Sequence, residues 1–233
     1  MGKVISLSAL GYNYIYLFVY QQGRAVVVDP GDAGCVLSAL KKHFLRLDAI
    51  LITHHHFDHT AGAGKLKKKT GCEIISPDKN RISLTDKEIS DSDVLEFGRE
   101  NIKVISTPGH TSTSVCYYVQ PSESNEDGIL FTGDTMFTAG CGRVFECPAE
   151  IMWKSLNKLA ALPETTLVYP GHNYTIENYQ FALNVEPENQ AVIDCLNNPS
   201  HPSTIALEKQ TNVFIRAGSV EVFAELRSRK NRF

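Results

Sequence analysis

Thr53-His54-His55-His56-Phe57-Asp58-His59 puts four imidazoles and a carboxylate into seven positions, directly after the apolar run Ala49–Ile52. Side chains alternate in direction along an extended segment. His54 and His56 therefore point one way, while Asp58 and His59 open the next helix and reach in from its N-terminus. Neutral imidazole and carboxylate are the ligands that divalent first-row metals take. A lone His is more often a packed core or surface residue. Four His in six positions at a strand end are not explained that way, and Phe57 and Asp58 interrupt what would otherwise be a simple histidine run.

Working outward, three more metal-capable side chains sit just beyond a strand. His110 follows Ile102–Ser106 through Thr107-Pro108-Gly109, Asp134 follows Ile129–Phe131 through Thr132-Gly133, and His172 follows Thr166–Val168 through Tyr169-Pro170-Gly171. Each is preceded by Gly, which lets the backbone turn sharply. Ligands at the same end of several strands in an α/β sheet converge on one crevice. Taken singly each is weak, since an Asp such as Asp134 is a turn residue more often than a ligand. With His54, His56, Asp58 and His59 they supply five His and two Asp. That exceeds the needs of one zinc and suits two metals sharing a carboxylate.

Short β-branched runs bounded by Gly, Pro or Asp read as buried strands at Tyr14–Val19, Ala25–Val28, Ala49–Ile52, Ile102–Ser106, Ser114–Val119, Ile129–Phe131 and Thr166–Val168. Helical spacing of apolar residues covers Val36–Leu45 and Ala149–Leu162, the latter opened by Pro148. Pro121–Gly128 reads as an exposed hairpin loop. After Val168 strands stop, and Thr175–Val185, Glu188–Leu196, Thr204–Gln210 and Val220–Arg229 are all helix-compatible. Strands first and helices last predict a β-rich α/β domain followed by a small helical one, with the boundary near residue 172.

A chain of 233 residues fits one large domain or a domain with a small companion. Its 42% hydrophobic and 21% charged residues exclude disorder or a fibre, and a net charge of −3 leaves no basic footprint for nucleic acid. The longest unbroken apolar run, Tyr14–Tyr20, is far short of the ~20 residues of a membrane span. No charged-then-apolar segment opens the chain, so a cytoplasmic protein is expected. The six Cys are scattered without a C-x-x-C pair, as reduced thiols in a chain long enough to bury its own core. Met1–Ser6 matches the loose pattern for myristoylation of Gly2, against which stands the reading of Lys3–Leu7 as the first strand.

The set THHHFDH, PGH, GD and PGH resembles the metallo-β-lactamase superfamily of hydrolases. The closer resemblance is to its hydroxyacylglutathione hydrolase (glyoxalase II) family. It is carried by Gly133–Phe137, Gly140-Cys141-Gly142-Arg143-Val144-Phe145-Glu146, Pro170–Thr175, His201-Pro202-Ser203-Thr204-Ile205 with Glu208-Lys209, and the ending Leu226–Phe233. It covers nearly the whole chain, including a helical tail that most of the superfamily lacks. It implies a four-layer αββα sandwich of class α/β with a small C-terminal all-helical domain, divided as a catalytic domain at 1–172 and a substrate-binding domain at 173–233. It also implies His54, His56 and His110 on one metal, Asp58, His59 and His172 on a second, and Asp134 bridging them with a water or hydroxide. Zinc is the expected metal, with iron or manganese as alternatives. His55 matches no ligand position and reads as a supporting or packing residue, and His43 and His201 carry no case as ligands.

The implied reaction is hydrolysis of S-(2-hydroxyacyl)glutathione, such as S-D-lactoylglutathione, to glutathione and a 2-hydroxy acid, the second step of methylglyoxal detoxification. Two cations lower the pKa of bound water toward ~7, and Asp58 and Asp134 orient the nucleophile and offset metal charge. A thiol leaving group with a free pKa of about 8.5 needs no strong general acid. A monomer with a small-molecule substrate is expected. Carrier recognition falls by resemblance to Tyr174 and Arg216, with Arg143 where Lys or Arg is usual. Phe145 stands where Tyr is common, and Asn212-Val213-Phe214-Ile215-Arg216 replaces an Asn-Pro-Phe-x-Arg run. Ser219 occupies the place of a second cation and is also fitted to cap the last helix. A grip on the glycyl end weaker by roughly 1–2 kcal/mol follows if one charged hydrogen bond is missing.

Other readings are a thioesterase for another thiol carrier, a mononuclear-iron persulfide dioxygenase, and a non-catalytic metal-binding relative. The dioxygenase is similar around THxHxDH but typically lacks the tail seen at 202–233. A β-lactamase lacks its secretion signal here, and an RNA-processing member its basic surface. A non-catalytic relative predicts eroded ligands, whereas all seven are present.

Overall fold

The computed structural model describes residues 2–122 and 126–233. The centre of the expected Pro121–Gly128 loop, at 123–125, lies outside the described residues, as does Met1 of the lipidation pattern. In chain order the first half comprises β1 (Lys3–Ala9), β2 (Asn13–Gln21), β3 (Arg24–Val28), α1 (Ala33–Lys42), β4 (Arg46–Leu51), α2 (Phe57–Thr60), α3 (Ala63–Thr70), β5 (Glu73–Ser76) and β6 (Lys87–Glu88). Next come β7 (Val94–Phe97), β8 (Glu100–Ser106), β9 (Val115–Val119), β10 (Ile129–Gly133), β11 (Met136–Phe137), β12 (Gly140–Cys141), α4 (Ala149–Ala160) and β13 (Leu167–Pro170). The chain finishes with α5 (Thr175–Val185), α6 (Gln190–Asn197), β14 (Ser203–Thr204), α7 (Ile205–Thr211) and α8 (Val220–Lys230).

One sheet runs β1-β2-β3-β4-β5-β6 and a second runs β14-β13-β10-β9-β8-β7. Period-two alternation within the strands decides how they stack. Along β2, Tyr16, Phe18 and Tyr20 enter the core between the sheets, together with Val26 and Val28 of β3, Tyr117 of β9 and Phe131 of β10. The intervening Ile15 and Leu17, with Ala25 and Val27, face outward onto α1 and α3 through Val36, Leu40 and Leu66. On the far side, Cys116, Tyr118 and Leu130 pack against Met152, Leu156 and Leu159 of α4 and against Tyr179, Phe181, Phe214 and Phe223 of the C-terminal helices. Both sheets are thus buried on both faces, which explains why their strands read as continuous apolar runs. The result is the expected αββα sandwich with a helical C-terminal segment.

One expectation is corrected. Strands do not stop at Val168: β14 pairs antiparallel with β13, Leu167 opposite Thr204 and Val168 opposite Ser203. Two residues are too short for alternation to register in the sequence. Thr204 then caps α7, accepting the Leu207 amide at 3.1 Å. Among the described residues, no helix is long and apolar enough to cross a membrane.

Candidate metal centre

The strand ends deliver their polar side chains to one rim. β4 ends at Leu51, and His54 is buried while His56 is half-buried in the turn that leads into α2, which carries Asp58 and His59. β8, β10 and β13 lead to His110, Asp134 and His172. Two glycines make this possible for different reasons. Gly133 has φ +47°, and a Cβ there would lie 2.3 Å from Thr53 Oγ1. Gly171 has no left-handed backbone; a Cβ at that position would sit 2.6 Å from Asp134 Oδ1 and 2.9 Å from His59 Cε1, inside the site itself. The sharp turn expected of Gly171 is therefore replaced by a need for close approach.

The donors fall into two sets. In one, His54 Nε2 lies 3.1 Å from His56 Nδ1, which lies 2.9 Å from His110 Nε2. In the other, His59 Nε2 and His172 Nε2 are 3.2 Å apart, and Asp58 Oδ2 is 3.5 Å from the first and 3.4 Å from the second. Asp134 lies between them. Its Oδ1 is 3.3 Å from His172 Nε2 and 3.4 Å from His59 Nε2, and its Oδ2 is 3.4 Å from His110 Nε2. All seven residues picked out as ligands in the sequence are brought together.

Hydrogen bonds on the outer nitrogens of His54, His59 and His110 fix which of their ring atoms face inward. Thr53 Oγ1 donates to Asp29 Oδ2 at 2.7 Å and accepts from His54 Nδ1 at 3.0 Å. His59 Nδ1 donates to the same Asp29 Oδ2 at 2.9 Å, and His110 Nδ1 donates to the Arg143 carbonyl at 2.8 Å. The inward nitrogens are left as lone-pair donors, the arrangement that carboxylate–histidine pairs impose on metal ligands. Asp29 was not singled out in the sequence. It is buried at φ +49°, a strained backbone for a non-glycine residue. Its signal was available, because Asp29-Pro30-Gly31 follows β3 at the same strand-end position as the ligands.

The donor set fits divalent cations. Asp134 Oδ1 is buried without a hydrogen bond of adequate geometry, and imidazole nitrogens face each other where one proton cannot serve them all. Burial pushes the Asp134 carboxyl up, but the His59, His172 and His54 rings outweigh it and hold the group well below the usual carboxylate range. At His59 burial disfavours charge, yet Asp134, Asp29 and Asp58 raise the imidazole to about 9. The field at this point favours a positive charge, as a cation site requires.

A cavity of about 460 Å³ opens above the two sets, walled by Phe137, Arg143, Phe145, Tyr174, Arg227 and Lys230 among others. Tyr174 stacks on His172 at 5.1 Å, and the exposed Phe145 ring lies 5.2 Å from His110. Arg216 and Ser219 do not reach this cavity. Arg216 Nε pairs with Glu186 at 3.2 Å in a separate cleft, and Ser219 caps α8, accepting from the Val222 amide at 3.4 Å. The cations from the tail are instead Arg227 and Lys230 of α8, which sequence reasoning missed. Arg227 Nη1 donates to the Cys141 carbonyl at 2.8 Å, and Lys230 Nζ to the Glu177 carbonyl at 2.8 Å. His55 stands outside both sets, 3.3 Å from Arg81 Nη1.

Residues 9–172 match the family model of the metallo-beta-lactamase superfamily, and residues 173–233 that of the hydroxyacylglutathione hydrolase C-terminus. The chain is 40% identical to the hydroxyacylglutathione hydrolase of Chromohalobacter salexigens, with 100% of both chains covered. It belongs to the hydroxyacylglutathione hydrolase family. The hydroxyacylglutathione hydrolase of Methylobacillus flagellatus is likewise 40% identical over 100% of both chains. Among solved structures, ETHE1 from Myxococcus xanthus aligns with a TM-score of 0.76 at 26% identity, covering 98% of this chain and 91% of that one. A family member with this donor set is a metal-dependent hydrolase.

Proposed function

We propose that the chain hydrolyses S-(2-hydroxyacyl)glutathione thioesters, such as S-D-lactoylglutathione, to glutathione and a 2-hydroxy acid, using two divalent cations. The observation that carries this reading is the division of the Asp134 carboxylate, one oxygen toward each histidine set, below a cavity walled by cations. His54, His56 and His110 would hold one ion and Asp58, His59 and His172 the other, with the Asp134 carboxylate between the two sets. Imidazole and carboxylate donors suit zinc, and iron or manganese as alternatives. Bound there, the two ions supply a water nucleophile ionised near neutral pH and positive charge against the developing oxyanion.

The chain's own groups do the rest. Asp58 and Asp134 accept hydrogen bonds from the nucleophile and orient it. The leaving thiol, with a free pKa of about 8.5, departs without a dedicated acid. Glutathione carries two carboxylates, and Arg143, Arg227 and Lys230 are the cations on the wall that receive them, with Tyr174 beside the thioester. Burial and the neighbouring Arg227 lower Lys230 to about 8, so it still carries its charge at neutral pH. Phe145 contributes an apolar rim without a hydroxyl. On this reading residues 1–172 supply the metal ligands and 173–233 supply Tyr174, Arg227 and Lys230 for the carrier. Every group comes from one chain, in keeping with a monomer.

The test is turnover of S-D-lactoylglutathione by the zinc-loaded chain beside thioesters of other cellular thiols, with dioxygen consumption followed. Hydrolysis with preference for the glutathione carrier is expected. Preference for another thiol overturns the carrier, and dioxygen uptake overturns the hydrolase.

A further inference from the structure

We propose that Asn13 is a positioning residue for the second cation site, acting by holding the Asp58 carboxylate in its ligating orientation. This rests on the two-site reading above. Asn13 opens β2 on the same alternating face as Ile15 and Leu17, and its side chain is only 6% exposed. A buried amide on an apolar face must find partners. Asn13 finds them in the site: Nδ2 donates to Asp58 Oδ2 at 2.9 Å and approaches the Asp58 carbonyl at 3.4 Å. Oδ2 is the Asp58 oxygen that faces His59 and His172.

The two ligand sets are supported unequally. His54, His59 and His110 each have an outer nitrogen tied to a buried or backbone acceptor. The Asp58 side chain is 42% exposed, and among the described residues its one hydrogen-bond donor is Asn13. Beyond the ionic approach of His59 and His172 at 3.5 and 3.4 Å, which has no fixed direction, this is the one hydrogen bond that selects its rotamer. The backbone of the same turn holds His172. Tyr14 N donates to the Gly171 carbonyl at 2.9 Å, Asn173 N donates to the Tyr12 carbonyl at 2.8 Å, and Asn13 bridges His172 directly. These backbone bonds do not depend on the Asn13 side chain. Removing the amide therefore frees Asp58 while leaving His172 and the whole His54–His56–His110 set in place.

The experiment is a zinc titration of the metal-stripped full chain, with bound zinc counted after removal of free ion, for wild type, Asn13→Leu, Asp58→Ala and the double variant. Asn13→Leu keeps the branched shape and the heavy-atom count and deletes the donor. It should weaken the second zinc about 10–100-fold, the range for losing a group that orients a ligand, and leave the first within about twofold. In the Asp58→Ala background it should add nothing, since Asn13 acts only through that carboxylate. Retention of the first zinc reports a folded chain, and Asn13→Ala gives the same comparison if the leucine does not fit. Wild-type affinity for both zincs in the Asn13 variants overturns the proposal, as does an equal loss with or without Asp58. A wild-type chain that takes up a single zinc overturns the two-site reading itself and this proposal with it.

Discussion

Asp29 Oδ2 accepts the Nδ1 proton of His59 at 2.9 Å, with both residues buried. The same oxygen accepts from Thr53, whose hydroxyl supports His54, and Oδ1 accepts the Thr53 amide at 2.8 Å. One carboxylate thus sets the ring orientation of a ligand in each set.

Asp29→Asn keeps the shape but turns an N–H toward one of these donors. Affinity for both zincs should fall, each about 10–100-fold, in a metal titration of the stripped protein. Loss confined to one site would show that Asp29 supports only one ligand.

Asp134→Ala removes the carboxylate that faces both sets. Bound zinc should drop from two per chain toward one, and thioester turnover by roughly 10²-fold or more. Near-normal activity with full metal content would sink the assignment of Asp134 to both ions.

Lys230→Gln should raise KM for the glutathione thioester by about 10–100-fold with little change in kcat, as expected for one charged hydrogen bond worth about 1.5–3 kcal/mol. Lys230 titrates at about 8, lowered by burial and by Arg227. The wild-type kcat/KM should therefore decline above about pH 8 as the cation is lost, and the variant should lack that decline. Arg216→Gln, altering a residue outside the cavity, should leave KM within about twofold. A large KM effect at Arg216 would contradict the cavity described.

Glu208 offers a stability test. Its carboxyl is fully buried, accepting from Ser203 Oγ at 2.6 Å, Ala139 N at 2.9 Å and Asn212 Nδ2 at 2.9 Å. Burial pushes it up from 4.5 to about 7, more than these donors lower it. A folded pKa above the unfolded one means the native state binds the proton more tightly. The contribution is full below about pH 4.5 and is lost as pH rises through about 7. The wild-type chain should lose about 3 kcal/mol over this window relative to Glu208→Gln, measured by denaturant unfolding at each pH. Parallel pH profiles for the two proteins would refute the shift.

The sequence alone carried the fold and the seven donors, because both rest on local pattern. Strands buried on two faces read as apolar runs, and ligands placed directly after strands inherit their position from the sheet. His54, His110, Asp134 and His172 needed no tertiary information beyond that. Reading short β-branched runs found β2, β3, β4, β8 to β10 and β13 but missed the four-residue β5 and β7 and the two-residue β14. Asp29 could have been read from its strand-end position, yet its role depends on where Thr53 and His59 lie.

What only the tertiary structure decided lies where distant segments meet without a repeating pattern. Arg216 and Ser219 looked like carrier contacts by their places in the chain, but one is spent on Glu186 and the other on a helix cap. Arg227 and Lys230 reach the cavity because α8 packs its Phe223 and Leu226 into the core shared with α4 and the second sheet. The face a helix turns toward a cavity is set by that packing, and in a basic ending such as Arg227-Ser228-Arg229-Lys230 the residue types do not reveal it. Sequence determined the chemistry at the strand ends; the docking of the C-terminal helices decided which charges stand above it.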